Sequence, residues 1–340
     1  MTNETLAGYA NLSLYSAMAV FTIAMLCYAM YLAGLLPARD ARVAQNGAER
    51  AGEPAREREL VAAGAVSDGA STGGVDQGVG MPATPAPDSE VPLRARNAAG
   101  IASTMTWLGG FLLVGSVAMR GLAVHRWPLG NMFEFAVMLS TFIVMAFSIW
   151  STRRDLRWLG LFITGPVLLV LGMAVMVWYT EAAELMPSLK SYWLMIHVTV
   201  AVLATAVFTL AAAATAVYLI KDAVQRSGRA SVLDRFPETA SLERTAYGLH
   251  IVAFPLWTFT LIAGAIWARQ AWASYWNWDP KEVWTFVIWV VYAAYLHSRA
   301  TSGITRQTVS YIALAGYACI IVNFAVVNVF FVGQHSYSGL

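Results

Sequence analysis

The sequence predicts an all-α membrane protein, a polytopic bundle of about eight transmembrane helices with both termini external, on three observations. Apolar residues make up 58% of the 340 and charged residues only 12%, about half the charge of a soluble domain. Eight apolar runs are each long enough to cross about 30 Å of hydrocarbon. The Lys and Arg residues cluster on alternate connections between those runs, which sets an orientation. A chain this apolar cannot hide its surface inside one water-soluble globule, so its solvent is lipid. The net charge of +2 comes with no basic face and no nucleic-acid motif, which gives no case for a nucleic-acid partner.

The first run, near 11–36, follows a short polar stretch and has no small-residue cleavage site after it. It reads as a retained N-terminal span, over residues 1–36, rather than a signal peptide. Residues 37–98 are rich in Ala, Gly, Pro, Ser, Arg and Glu and nearly empty of large apolar side chains. Such a segment cannot offset the entropy of ordering, and it reads as a disordered cytoplasmic loop, a tolerated insertion or a docking segment. The remainder, 99–340, holds the other seven runs, near 99–119, 131–151, 157–178, 193–220, 245–268, 283–300 and 309–332. Residues 37–98, 152–157, 221–244 and 299–308 carry 17 of the 22 Lys and Arg. The opposite connections hold only Arg120, Arg126, Lys190, Arg269 and Lys281. The richer side is expected in the cytoplasm. Cys27 and Cys319 both fall inside apolar runs and form no Cys-x-x-Cys, so they read as buried thiols, not as a redox or zinc site.

On that topology, residues 272–284, Trp-Ala-Ser-Tyr-Trp-Asn-Trp-Asp-Pro-Lys-Glu-Val-Trp, lie outside between the sixth and seventh spans. An interfacial belt contributes one or two aromatic residues per helix end; here four tryptophans, Trp272, Trp276, Trp278 and Trp284, fall in thirteen residues. Asp279-Pro280 breaks any helix there. The expected result is a short aromatic shelf at the membrane surface, suited to a large, flat, amphiphilic ligand whose face stacks on indoles. A bulky belt segment is the plain alternative.

The histidines sharpen this reading. His197, near the outer end of the fifth span, and His335, just past the eighth, share the shelf's side of the membrane. Neutral imidazole is a good iron ligand, and six-coordinate haem needs two, one on each face. His297 stands near the inner end of the seventh span, where an ionisable residue defaults to a functional hypothesis. Snorkelling to the interface is its alternative, and His125 and His250 read as packed or solvated side chains.

These residues carry a resemblance. Trp272–Trp284 resembles the tryptophan-rich (WWD) signature, ending Trp-x-Trp-Asp-Pro-Lys-Glu-x-Trp, of haem-handling proteins of cytochrome c biogenesis. Within that group the chain is similar to the CcsA/ResC family of the system II pathway, often labelled CcsB in actinobacteria. Ser191–Val198 and Gln334–Tyr337 resemble the family's two external histidine motifs, and Tyr295–Arg299 its transmembrane histidine. Arg120 with Pro128, Asn131 and Glu134 matches a family pattern. The resemblance covers about residues 99–340, and Ala273 departs from it, since the family usually has glycine there.

The resemblance implies that the chain binds haem b transiently, as substrate, receives it from the cytoplasmic side and exposes it outside. There the haem would be joined by thioether bonds to the Cys-x-x-Cys-His of an apocytochrome c. It makes His197 and His335 axial ligands of external haem and His297 a ligand at an inner site. Trp272, Trp276, Trp278, Asp279 and Trp284 would form the haem-binding surface. It implies a separate ResB-like membrane partner with a large external domain, attachment activity only together with that partner, and a bacterial plasma-membrane location. Two rival readings remain open: a haem exporter without the attachment step, and a cytochrome b-type electron-transfer subunit, which would place histidine pairs within its spans.

Overall fold

The structure, a computed structural model, describes residues 3–35, 92–183, 190–228 and 232–335. Most of the 37–98 segment, expected to lack order, lies outside the described residues; its end, from Leu93, is already helix.

The described residues are helical and contain no strand. The helices are α1 (Glu4–Gly34), α2 (Leu93–Val124), α3 (Met132–Ser151), α4 (Gly160–Met176), α5 (Tyr192–Arg226), α6 (Thr239–Trp272), α7 (Pro280–Ala300) and α8 (Arg306–Ile321). A 3-10 turn, Arg157–Leu159, leads into α4, and α8 continues through a π-helical turn, Val322–Val327, to Asn328–Phe330. Five helices begin at a polar N-cap whose side chain takes up an orphan N–H. Asn3 accepts from Leu6, Asn131 from Glu134, Ser191 from Trp193, Asp279 from Lys281 and Thr305 from Thr308.

The seven helical stretches other than α7 are long and apolar enough to cross a membrane. Lys281, Glu282, His297 and Arg299 at its two ends lower the mean hydropathy of α7. It is nonetheless long enough to cross: 21 residues at about 1.5 Å each give a rod of about 31 Å. One end meets the C-terminal stretch through Asp279 and His335, and the other meets the start of α6, where Arg299 Nε donates to Glu243 Oε1 at 2.7 Å. The Asn3 N–H donates to the Ala123 carbonyl, so the first described residues lie beside the end of α2. The connection that follows α2 lines one cavity with His335. The described chain therefore enters and leaves the bundle at the same end, and Arg153, Arg154, Arg157, Arg226 and Arg299 lie at the other.

Two apolar layers share α5. One joins α1, α2, α3 and α4 to α5, around Phe21, Phe133, Phe147 and Leu171, and the other joins α5 to α6, α7 and α8 around Phe208, Trp257 and Tyr292. Small residues allow close approach where no hydrophobic effect drives helices together. Gly109 of α2 is one: a Cβ there would stand 2.6 Å from the Phe21 ring of α1.

The cavity end of the first layer is tied by charge. Glu134 is 2% exposed and Arg120 5%. Arg120 Nε donates to Glu134 Oε1 at 2.9 Å, while Arg126 donates to both carboxylate oxygens, at 2.8 and 3.0 Å. The Gly130 N–H adds a bond to Oε2 at 2.7 Å, and Arg120 Nη2 reaches the Thr180 carbonyl at 2.6 Å. One carboxylate thereby fixes the α2–α3 connection and the chain after α4. Removing one member of a buried ion network leaves the other charges uncompensated, at a cost of about 3–5 kcal/mol. Glu134→Gln is thus expected to lower the thermal unfolding midpoint of the purified protein by a clear margin. An unchanged midpoint would assign these arginines to solvent.

Candidate functional site

The connection between α6 and α7 is held in unusual backbone conformations. Ala273 ends α6 with a left-handed φ of 60°, and the Arg269 side chain donates to its carbonyl. A residue with a Cβ is strained there, and a glycine would adopt the same conformation at no steric cost. Trp278 also has a positive φ, 56°, a genuine outlier for so bulky a side chain. Asp279 then caps α7, with Pro280 in its first turn, where the missing N–H is not needed. Glu282 Oε2 completes a capping box, accepting from the N–H groups of Asn277 at 2.8 Å and Asp279 at 3.2 Å. The Asp-Pro pair that interrupts one helix is also what starts the next.

The four tryptophans do not form the single shelf expected from their spacing. Trp272, the last residue of α6, turns inward and packs edge-on against His335, ring centroids 4.7 Å apart. Trp276 lines the cavity and meets Trp278 edge-on at 5.8 Å. Trp278 itself is 77% exposed, and Trp284 lies half-buried along α7 without lining the cavity. The left-handed turns at Ala273 and Trp278 reverse the chain between the rings, so neighbouring indoles face different ways.

Trp267, on α6, brings the two histidines together. Its ring is 1% exposed, stacks on His197 at 6.0 Å and 14°, and meets His335 at 5.9 Å and Trp272 at 4.8 Å. His197 Nδ1 lies 2.9 Å from the Thr260 carbonyl. A carbonyl only accepts, so Nδ1 carries the proton and the ring's lone pair is on Nε2. Gly264 makes room for this arrangement, since a Cβ there would stand 2.7 Å from His197 Cε1.

His335 Nδ1 lies 2.9 Å from Asp279 Oδ1, and the Gln334 N–H donates to Oδ2 at 2.6 Å. Burial pushes the Asp279 carboxyl up, but the hydrogen bond from His335, with those from the N–H groups of Lys281 and Gln334, outweighs it and holds the group below the usual carboxylate range. An ionised carboxylate accepts, so Nδ1–H of His335 donates and its lone pair is also on Nε2. Outer acceptors that fix the tautomer in this way are typical of iron- and zinc-binding histidines.

Both histidines line a cavity of about 1280 Å³, counting its open mouth, among α3, α5, α6, α7 and α8. Its walls are largely apolar, with Trp257, Trp276, Leu194 and Phe324, and its polar side is Lys281, Glu282, Asn323 and Asn328. The π turn in α8 sets that side, because i→i+5 bonding brings residues five apart, Asn323 and Asn328, towards one face. Among the described residues no group of three or more His, Cys, Asp or Glu side chains converges.

His297 does not line the cavity; it is exposed on α7, in its last turn. His250 is fully buried, with Nδ1 donating to the Ala246 carbonyl at 2.7 Å, and His125 is the left-handed cap of α2. Ser336 and Tyr337 lie outside the described residues. Trp267, Thr260, Gly264 and Asn328 are wall residues outside every motif, and Lys281 is a wall residue inside the tryptophan-rich motif to which the sequence assigned no role. A signal existed for three of them: Thr260, Gly264 and Trp267 recur at i, i+4 and i+7, one face of a helix.

The sequence matches the family model described as cytochrome c assembly protein over residues 126–335. It is 30% identical over 240 residues to the cytochrome c biogenesis protein CcsA of Guillardia theta, covering 65% of this chain and 80% of that protein. It is 32% identical over 239 residues to the protein of the same name from Chlamydomonas reinhardtii, covering 68% and 67%. A third, from Gloeothece citriformis, is 28% identical over 296 residues, covering 72% and 88%.

Proposed function

The chain belongs to the cytochrome c assembly protein family, and on that premise we propose that it binds haem b as a transient substrate, holds it at the outer face of the cell membrane of a bacterium and supports its covalent attachment to apocytochrome c. The observation that carries this is the pair of imidazoles, His197 and His335, gathered around Trp267 on one cavity with both lone pairs on Nε2. Haem iron takes two such nitrogens on opposite faces. The largely apolar walls suit a porphyrin ring, and the positive-inside rule assigns the cavity end to the outside.

In this reading His197 and His335 are the axial ligands. Trp272, with Trp267, supports His335; Trp276 is a wall against the ring; Asp279 fixes the tautomer of His335; Trp278 and Trp284 flank the mouth and α7. Haem supplies the vinyl groups to which the apocytochrome's Cys-x-x-Cys-His thiols add. This chain's residues would hold the iron and leave the vinyl groups accessible to the apocytochrome, whose own histidine would take over one coordination position. The partner is a separate ResB-like membrane protein with a large external domain, and attachment requires both.

The test is to purify the chain with and without its partner, take a pyridine haemochrome spectrum and co-express a Cys-x-x-Cys-His apocytochrome. Haem on the purified protein and covalent haem on the reporter are expected. Free haem outside with an unmodified reporter would make the protein an exporter, and no bound haem in either preparation would end the reading.

His297 is the proposed inner ligand. Its exposure in the last turn of α7 suits a ligand shared with a second protein better than one enclosed by this chain. His297→Ala is expected to empty the external site while its own ligands are intact, measured as haem per folded protein. Normal haem content with normal maturation would return His297 to an interfacial side chain.

A further inference from the structure

Among the described residues, the cavity wall contains a single Lys or Arg, Lys281. No carboxylate among the described residues forms an ion pair with it. Its Nζ donates to Asn328 Oδ1 at 2.5 Å, one of three N–H donors on the ammonium. The nearest anions, Asp279 and Glu282, direct their hydrogen bonds to other donors. Asp279 accepts from His335, from the Gln334 N–H and from the Lys281 backbone N–H. Glu282 Oε2 accepts from two backbone N–H groups at the start of α7, where the helix dipole also favours negative charge; its Oε1 is buried and has no partner. The Asn328 amide nitrogen, a further donor, has no acceptor among the described residues.

An ammonium in a largely apolar cavity is costly unless something of opposite charge meets it. Two donors on one wall, one of them cationic, call for an acceptor that is anionic and enters with the ligand. A haem carries its negative charge on two propionate carboxylates at one edge of an otherwise apolar ring. We propose that Lys281, with Asn328 beside it, receives a haem propionate, so that the cavity selects porphyrins with a free carboxylate and sets which edge of the ring faces the polar side. The inference rests on the haem reading above and adds to it a positioning and selecting residue. Because the opposite edge carries the vinyl groups, holding the propionate edge on α7 and α8 would turn the vinyl edge away from that wall.

The experiment compares two ligands of one protein. Ferric protoporphyrin IX and its dimethyl ester, which lacks the carboxylates and keeps the ring, iron and vinyl groups, are titrated into the purified full chain. A charge-assisted hydrogen bond predicts a preference of roughly 10–100-fold for the free acid. Lys281→Gln should bring the two affinities within about 2-fold, Lys281→Arg should keep most of the preference, and the six-coordinate spectrum of bound haem should be the same in all three proteins. Equal affinities in the parent, or an undiminished preference in Lys281→Gln, would overturn the inference and make Lys281 a snorkelling cation, with haem binding itself intact. Failure of the parent to bind either ligand would overturn the haem reading and this inference with it.

Discussion

Purified His197→Ala and His335→Ala proteins are expected to lose haem and to stop supporting cytochrome c maturation. Outer acceptors to metal-bound histidines already contribute about 10–100-fold in affinity, so loss of an axial nitrogen should exceed that range. Free imidazole should restore part of the haem content, because it can occupy the coordination position that alanine leaves open. Each variant should keep its helices, since His197 lies on a side wall of α5 and His335 follows the last helix. The measurement is haem per folded protein with and without imidazole, followed by covalent haem on an apocytochrome. If both single variants mature cytochromes normally, the pair is not the ligand set.

The second large effect is expected at Asp279, which has three tasks at once. It caps α7, orients His335 and closes against Gly333, where a Cβ would collide with its Oδ2. Asp279→Ala should cost about 0.5–2 kcal/mol of stability through the lost cap and, separately, about 10–100-fold in haem affinity through the lost partner of His335. Asp279→Asn separates the two tasks: an asparagine can still cap the helix, but it gives His335 a neutral partner. It should therefore recover most of the stability and little of the haem affinity. Because the folded protein holds this carboxyl below the usual range, its stabilising contribution is present at neutral pH and is lost as the pH falls through the lowered folded value. Haem affinity in Asp279→Asn equal to that of the parent would show that the Asp279 charge does not act on His335.

Much of the architecture was legible in composition and spacing. The helices follow the apolar runs because lipid leaves a backbone no other way to satisfy its polar groups. They extend past those runs at polar caps such as Asn3, Asn131 and Ser191. The eighth crossing, α7, is the least apolar, and its crossing rests on contacts at both ends, Asp279 with His335 and Arg299 with Glu243. Trp267 was hidden in an apolar run because its importance comes from what surrounds it, two histidines from other elements and one indole.

The sequence alone determined that this chain is a multi-pass helical membrane protein with most of its basic residues on one side, and that two histidines and a tryptophan-rich connection share the other. Those properties depend on hydropathy, charge and local order along the chain, which add up without knowledge of packing. Only the tertiary structure decided that the four tryptophans split between the cavity, the surface and α7, since two positive-φ residues turn the chain between them. Only it decided which histidine nitrogens carry protons, because the Thr260 carbonyl and the Asp279 carboxylate reach His197 and His335 from 63 and 56 residues away. The same holds for Lys281, a cation beside three carboxylate and amide neighbours in the chain or across it. Whether such a charge is paired is a matter of where side chains meet in space, and spacing along one helix does not contain that answer.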